Sequence, residues 1–223
     1  MAANANSRVP DTKNRGNSRF CQEQSGNSCY HGAMDPRAAL ILNYWLATTP
    51  AKLWFEKNEA TDKHIRTTFE GTLREVARKP RALEASPRER VAKVILMDQF
   101  PRNMFRGSAE AFAFDPLARA QTLAMLTHGE DQGLTLFERM FVYLPLEHAE
   151  DTALQERSVT CFTTLEQLAP DSTADYFREA LVYAKRHRDI IARFGRFPHR
   201  NTTLGRPSSA AELEFLKEPM SSF

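Results

Sequence analysis

Apolar side chains recur along most of this chain at three- and four-residue spacing, the repeat that lays one face of a helix against a core. Leu40, Ile41, Tyr44 and Trp45 form a first stripe, opened by Asp35-Pro36 as a capping residue with proline at the first helical position and ended by Pro50. Trp54 and Phe55 begin the next segment, and Ile65, Phe69, Leu73 and Val76 form a second stripe that Pro80 stops. Ser86 with Glu89 reads as a capping box, with Pro87 in the first turn. Val91, Val94, Ile95 and Met97 carry that helix to Asp98. Pro101 then predicts a break, because the residue before a proline is pushed out of the helical region. Asp115-Pro116 starts a helix on Leu117, Ala120, Leu123, Ala124 and Leu126, with Gly129 as its stop.

Thr135 with Glu138 makes a second capping box before Phe137, Met140, Phe141 and Leu144, and Pro145 is expected to end that helix. A long helix follows from about Asp151 to Leu168, with Leu154, Cys161, Phe162, Leu165 and Leu168 on one face. After Pro170, Ser172 and Asp175 open a helix whose apolar side is Tyr176, Phe177, Ala180, Tyr183, Ala184, Ile190 and Ile191, closed by Gly195. Ser209 with Glu212 caps a short last helix carrying Leu213, Phe215 and Leu216. The pattern predicts seven or eight helices and no convincing strand, an all-α fold. Helices joined by short connections pack antiparallel, so a curved stack of helix pairs is expected, although no internal sequence period marks a regular repeat array.

Composition changes this picture only at the N-terminus. Residues 1–33 are rich in Asn, Ser, Arg and Gln with almost no large apolar side chains, so they are expected to form a disordered tail; Gly32-Ala-Met-Asp-Pro36 reads as a vector-derived junction within it. Residues 34–223 then make a single helical domain. The 30 basic and 28 acidic residues give a formal charge of +2, too balanced for nucleic acid to be the default partner. No apolar run approaches the roughly 20 residues of a membrane span. Cys21, Cys29 and Cys161 form neither a disulfide framework nor a zinc motif, so a reducing, cytoplasmic setting is expected.

Three stretches gather charge where apolar elements stop. The first supplies Asp98, Arg102, Asn103 and Arg106, and the second Glu147-His148-Ala149-Glu150. The third, Arg193 to Asn201, sets Arg196, His199, Arg200 and Asn201 beside Phe194 and Phe197, and Arg206 follows. Guanidinium forks hold carboxylates and phosphates, so Arg102, Arg106, Arg196 and Arg200 are the anion-binding candidates. A histidine among acids can move protons. The same residues could also neutralise one another in a structural network. No ligand pair has a recognised metal spacing, and no motif names a cofactor. His187 reads as a packed or capping histidine.

Leu96 to Arg106, Pro145 to Glu150, Arg193 to Asn201 and Leu204-Gly-Arg206 together resemble the signature blocks of domain-of-unknown-function family 924, over about residues 36–218. The resemblance implies an all-helical, tetratricopeptide-like stack of antiparallel helix pairs and carries no assigned reaction. By position it implicates Asp98, Gln99, Arg102, Asn103, Arg106, Glu147, His148, Glu150, Arg196, His199, Arg200, Asn201 and Arg206. The leading expectation is a protein that binds a small anionic molecule or an acidic peptide end. Arg102, Asn103, Arg106, Glu150, Arg196, Arg200, Asn201 and Arg206 would contact it, with Glu147 and His148 setting protonation. The first alternative is a hydrolase using His148 or His199 with a carboxylate such as Asp98. The second is a protein-interaction scaffold.

Overall fold

The computed structural model describes residues 33–222, and the expected tail up to residue 32 lies outside them. The described residues form α1 (Pro36–Leu42), α2 (Glu59–Arg78), α3 (Pro87–Met104), α4 (Asp115–Thr127), α5 (Leu136–Glu147), α6 (Thr152–Leu168), α7 (Ala174–Phe194) and α8 (Ala210–Phe215), with no strand among them. Neighbours in sequence pack on one another as α2–α3, α3–α4, α4–α5, α5–α6 and α6–α7. Helix α3 also packs against α1 and α5, which makes it the central element. Its sequence explains why. From Val91 to Pro101 every side chain is buried, and a helix that is apolar on most of its circumference has to be enclosed.

The proline expectations need correction. Pro101 lies inside the last turn of α3 and Pro145 inside the last turn of α5, and neither breaks its helix. Packing outweighs the local preference. Phe100, which the proline should push out of the helix, is fully buried, with ring centroids 4.8 Å from Phe69 and 5.3 Å from Trp45. The carbonyls near the bend also find donors: Asp98 O accepts from Arg102 Nη1 at 2.6 Å, and Pro101 O from Phe105 N at 2.9 Å. In α4 the stripe is misplaced. Ala118, Gln121, Thr122 and Met125 face inward while Leu117 is exposed, because Thr122 Oγ1 donates to Val142 O at 2.7 Å and so turns this face toward α5.

After α1 the chain widens into a π-helical turn, Asn43–Thr48, that ends with Thr49 N donating to Tyr44 O at 2.8 Å. The next carbonyl, that of Trp45, would find its partner five residues on, at Pro50, which has no N–H. The indole of Trp54 takes that place, donating to Trp45 O at 2.7 Å, and is thereby fixed where it borders the cleft described below.

The boxes at Thr135/Glu138 and Ser209/Glu212 are complete. At Ser86 only half forms. Ser86 Oγ accepts from Glu89 N, but the Glu89 carboxylate turns away and accepts from Asp35 N and Ala85 N, each at 2.9 Å. Glu89 thus ties the entry of α1 to the start of α3 while itself buried. Replacing Glu89 with Leu leaves two N–H groups unmet, and we expect a loss of about 2–4 kcal/mol in urea unfolding with an unchanged m-value.

Candidate functional site

The last turn of α3, the C-terminal end of α5, the inner face of α7 and the short helical turn Pro198–Arg200 meet around a cleft of about 700 Å³. Its floor is polar: Gln99, Arg102 and Asn103 from α3, Glu147 and His148 from α5, His187 from α7, and His199 and Arg200 from the turn. Its wall is apolar and aromatic, with Trp54, Phe55, Phe112, Phe162 and Tyr176.

Asp98 sits just behind the floor, wholly buried. It meets His148 Nδ1 with Oδ1 at 2.8 Å and accepts from Gln99 Nε2 with Oδ2 at 2.5 Å, and Arg102 Nη1 lies 3.5 Å from Oδ1. Burial alone would raise its pKa. The charges of His148 and Arg102 and the two hydrogen bonds outweigh burial and hold the carboxyl down at about 2. An ionised acceptor at Nδ1 requires the proton on that nitrogen, which leaves Nε2 of the neutral ring as the basic atom. Burial and the neighbouring Arg102 charge depress His148 against the pull of Asp98, so the imidazole is neutral at pH 7.

Glu147 behaves in the opposite way. Burial, reinforced by the Asp98 charge, pushes it up to about 8, so it is mainly a neutral acid at pH 7. Its Oε1 lies 3.0 Å from His187 Nδ1, and its Oε2 has no hydrogen-bond partner among the described residues. His187 Nδ1 also lies 2.9 Å from the Tyr183 carbonyl, which can only accept, so that nitrogen carries the proton. Burial drives His187 well below its ordinary value, and burial with the Arg200 charge brings His199 to about 4.

The arginines divide sharply. Arg102 is bidentate on Asp115 at 2.8 and 3.0 Å, and Arg106 on Asp62 at 2.9 and 3.0 Å. Asn103 also donates to Asp62, at 2.8 Å. Arg196 is bidentate on Glu212 at 2.7 and 2.9 Å, and Arg206 on Glu150 at 2.6 and 2.9 Å. Arg196, Glu150, Asn201 and Arg206 do not line the cleft. They form a clamp instead. Glu150 accepts from Phe197 N at 2.9 Å, and Arg206 donates to Asn201 Oδ1 at 3.0 Å, fixing the turn that bears His199 and Arg200.

Arg200 is the exception. It lies between the rings of Phe197 and Phe112, at 4.3 and 4.8 Å from their centroids, and donates through Nη1 to His148 O at 3.0 Å. The nearest carboxylate, Asp115, is 3.8 Å away, and Arg200 Nε is buried with no partner among the described residues. Burial and the Arg102 charge lower its pKa to about 10, which leaves it a cation.

His187 was legible as a packed histidine but not as a neighbour of Glu147. Asp115 carried no signal in sequence beyond a helix-start acid, and Phe112 none beyond apolarity. Among the described residues no set of three or more His, Cys, Asp or Glu is arranged to hold a metal ion. No helix is long and apolar enough to cross a membrane among them.

A family model described as bacterial protein of unknown function (DUF924) matches residues 41–220. The chain belongs to the DUF924 family. A solved structure titled as a protein of unknown function, ATU0120 from Agrobacterium tumefaciens, is 37% identical to this DUF924 chain. It aligns over 82% of this chain and 97% of that one, with a TM-score of 0.70. No curated protein matches.

The displaced pKa values set a pH dependence. Glu147 holds its proton in the folded state between its ordinary value of 4.5 and about 8, where the unfolded chain has lost it, so its contribution to stability falls as pH rises through that window. His148 and His187, kept neutral by folding, act in the opposite sense and remove stability as pH falls below 6.5. We expect the stability of the wild type relative to Glu147→Gln to drop by a few kcal/mol (about 1.4 per pKa unit) between pH 5 and pH 8, read from urea melts at both.

Proposed function

We propose that the cleft is the active site of a hydrolase for small anionic molecules, with His148 as general base. The observation that carries this reading is the 2.8 Å contact between buried, ionised Asp98 and His148 Nδ1, which leaves the basic Nε2 on an imidazole that borders the cleft. A cleft of about 700 Å³ suits a small molecule better than the broad groove of a scaffold. Water would give one proton to His148 Nε2 as its oxygen bonds to the carbonyl carbon of an ester or amide. The carbon–heteroatom bond would then break, and the leaving atom would take the proton from the imidazolium. Glu147, protonated at pH 7, suits the role of hydrogen-bond donor to the carbonyl oxygen. Arg200 suits the anionic part of the substrate. Its Nε has no partner among the described residues, whereas Arg102 and Arg106 are filled by Asp115 and Asp62. The half-buried free thiol of Cys161 accords with a cytoplasmic setting.

The test is a panel of p-nitrophenyl acyl esters assayed against the wild type, His148→Gln and Asp98→Asn. We expect kcat/KM to fall by about 10²–10⁴ in His148→Gln, and the wild-type rate to rise with pH along a limb below 6.5 as the imidazole loses its proton. Asp98→Asn, which turns an amide toward Nδ1 and permits the wrong tautomer, should cost about 10² or more while leaving KM nearly unchanged. Wild-type turnover retained in His148→Gln would remove the acid–base role.

A further inference from the structure

The proposed function leaves the substrate class open. The partnering of the polar groups around the cleft narrows it. On the floor, Arg102 and Arg200 are offset by Asp98 and Asp115, and Glu147, His148, His187 and His199 are neutral at pH 7. Lys52, Glu56 and Glu179 also line the cleft and add one positive and two negative charges, which oppose a polyphosphate. Of the arginines that line the cleft, Arg102 and Arg106 have both branches of their forks on carboxylates. Of these arginines, Arg200 alone has a buried N–H with no acceptor among the described residues. A carboxylate meets that group with a charge-assisted hydrogen bond stronger than one to a neutral acceptor, and a doubly charged ligand would bring more charge than a single guanidinium edge can meet. The apolar lining of the cleft is largely aromatic. Trp54 is held edge-on to Phe141 at 5.0 Å, Phe55 is 59% exposed, and Tyr176 meets Trp54 at 6.4 Å. Such a wall takes up apolar rather than sugar-like material.

We propose that the substrate is an amphipathic ester or amide that bears one carboxylate: the carboxylate engages Arg200, and a flat or extended apolar body lies on the wall of Trp54, Phe55, Phe112 and Tyr176. This inference rests on the acid–base reading for the reaction but not for the binding. The turn Pro198–Arg200 is clamped through Phe197 to Glu150, so Arg200 is presented without a flexible arm. Phe112 both covers Arg200 and borders the cleft, which places the charged and apolar subsites side by side.

Isothermal titration of the full chain at pH 7 with acetate, phenylacetate, 4-phenylbutyrate, phenylacetamide and inorganic pyrophosphate tests this. Phenylacetate should bind, and 4-phenylbutyrate about tenfold tighter, at roughly three- to fourfold per added methylene. Acetate and phenylacetamide should bind at least tenfold more weakly than phenylacetate, and pyrophosphate should not bind. Arg200→Lys keeps the charge but lacks Nε and should weaken phenylacetate at least tenfold without altering phenylacetamide. Phe55→Ala, at an exposed position where folding is not at stake, should weaken 4-phenylbutyrate more than phenylacetate. Pyrophosphate binding as tightly as phenylacetate, equal affinity for acid and amide, or no binding by any of the five overturns the proposal. Carboxylate binding without any effect of His148 on ester turnover would sink the acid–base reading and leave this one standing. His148-dependent turnover of esters with no carboxylate preference would do the reverse.

Discussion

A carboxylate with no exposure to water must be compensated where it lies, and Asp98 sets that requirement at the centre of the molecule. Helix α3 is enclosed by α1, α2, α4 and α5, so the compensation must come from side chains that reach its last turn. Gln99 and Arg102 come from α3 itself, and His148 comes from the end of α5. The remaining polar geometry follows from this. Holding His148 fixes the end of α5, and that position exposes the carbonyls of Glu147, His148 and Ala149. A helix end buried with open carbonyls is costly. Gln155 Nε2 meets Glu147 O and Ala149 O at 2.6 and 2.8 Å, and Arg200 Nη1 meets His148 O. One buried charge therefore organises four segments distant in sequence.

The same charge raises Glu147. Two neighbouring carboxyls cannot both ionise in a water-poor site, and the one with a histidine and an arginine on it keeps the charge. The result is a neutral imidazole and a protonated carboxyl side by side on consecutive residues at neutral pH. The separation is environmental rather than chemical, the pattern by which one fold places acid and base roles together.

Most of the fold was legible in the sequence because helix periodicity, capping residues and glycine stops all pointed the same way. Gly129 and Gly195 adopt φ of +65° and +68°, the left-handed turn that their place after a helix anticipates. Pro101 and Pro145 were misread because local preference is weak against the burial of Phe100 and of the whole last turn of α5. The inward face of α4 was misread because a threonine hydrogen bond, not an apolar stripe, sets its orientation. In the site, the three polar blocks did point to Asp98, His148, His199 and Arg200. What no pattern could show is pairing across the chain. Asp62 to Arg106 spans 44 residues and Glu150 to Arg206 spans 56, so the sequence could not tell which arginines were already occupied.

That distinction decides how the arginines should be regarded. Arg196 and Arg206 serve the clamp on the loop after α7, and Arg102 and Arg106 brace the end of α3. Arg200 also has a structural duty, the capping of His148 O, which alone would account for a donor at that point. It does not account for a guanidinium. A lysine could supply the single bond to His148 O. The planar group between Phe112 and Phe197 instead carries a second donor, Nε, whose direction the stacking fixes and which no described residue meets. A buried donor left open is a cost that a bound acceptor would remove. Because Arg200 holds the backbone of His148, an anion that engaged it would bear on the same residue whose ring borders the cleft, and on the proposed reading binding and proton transfer would share one mechanical element.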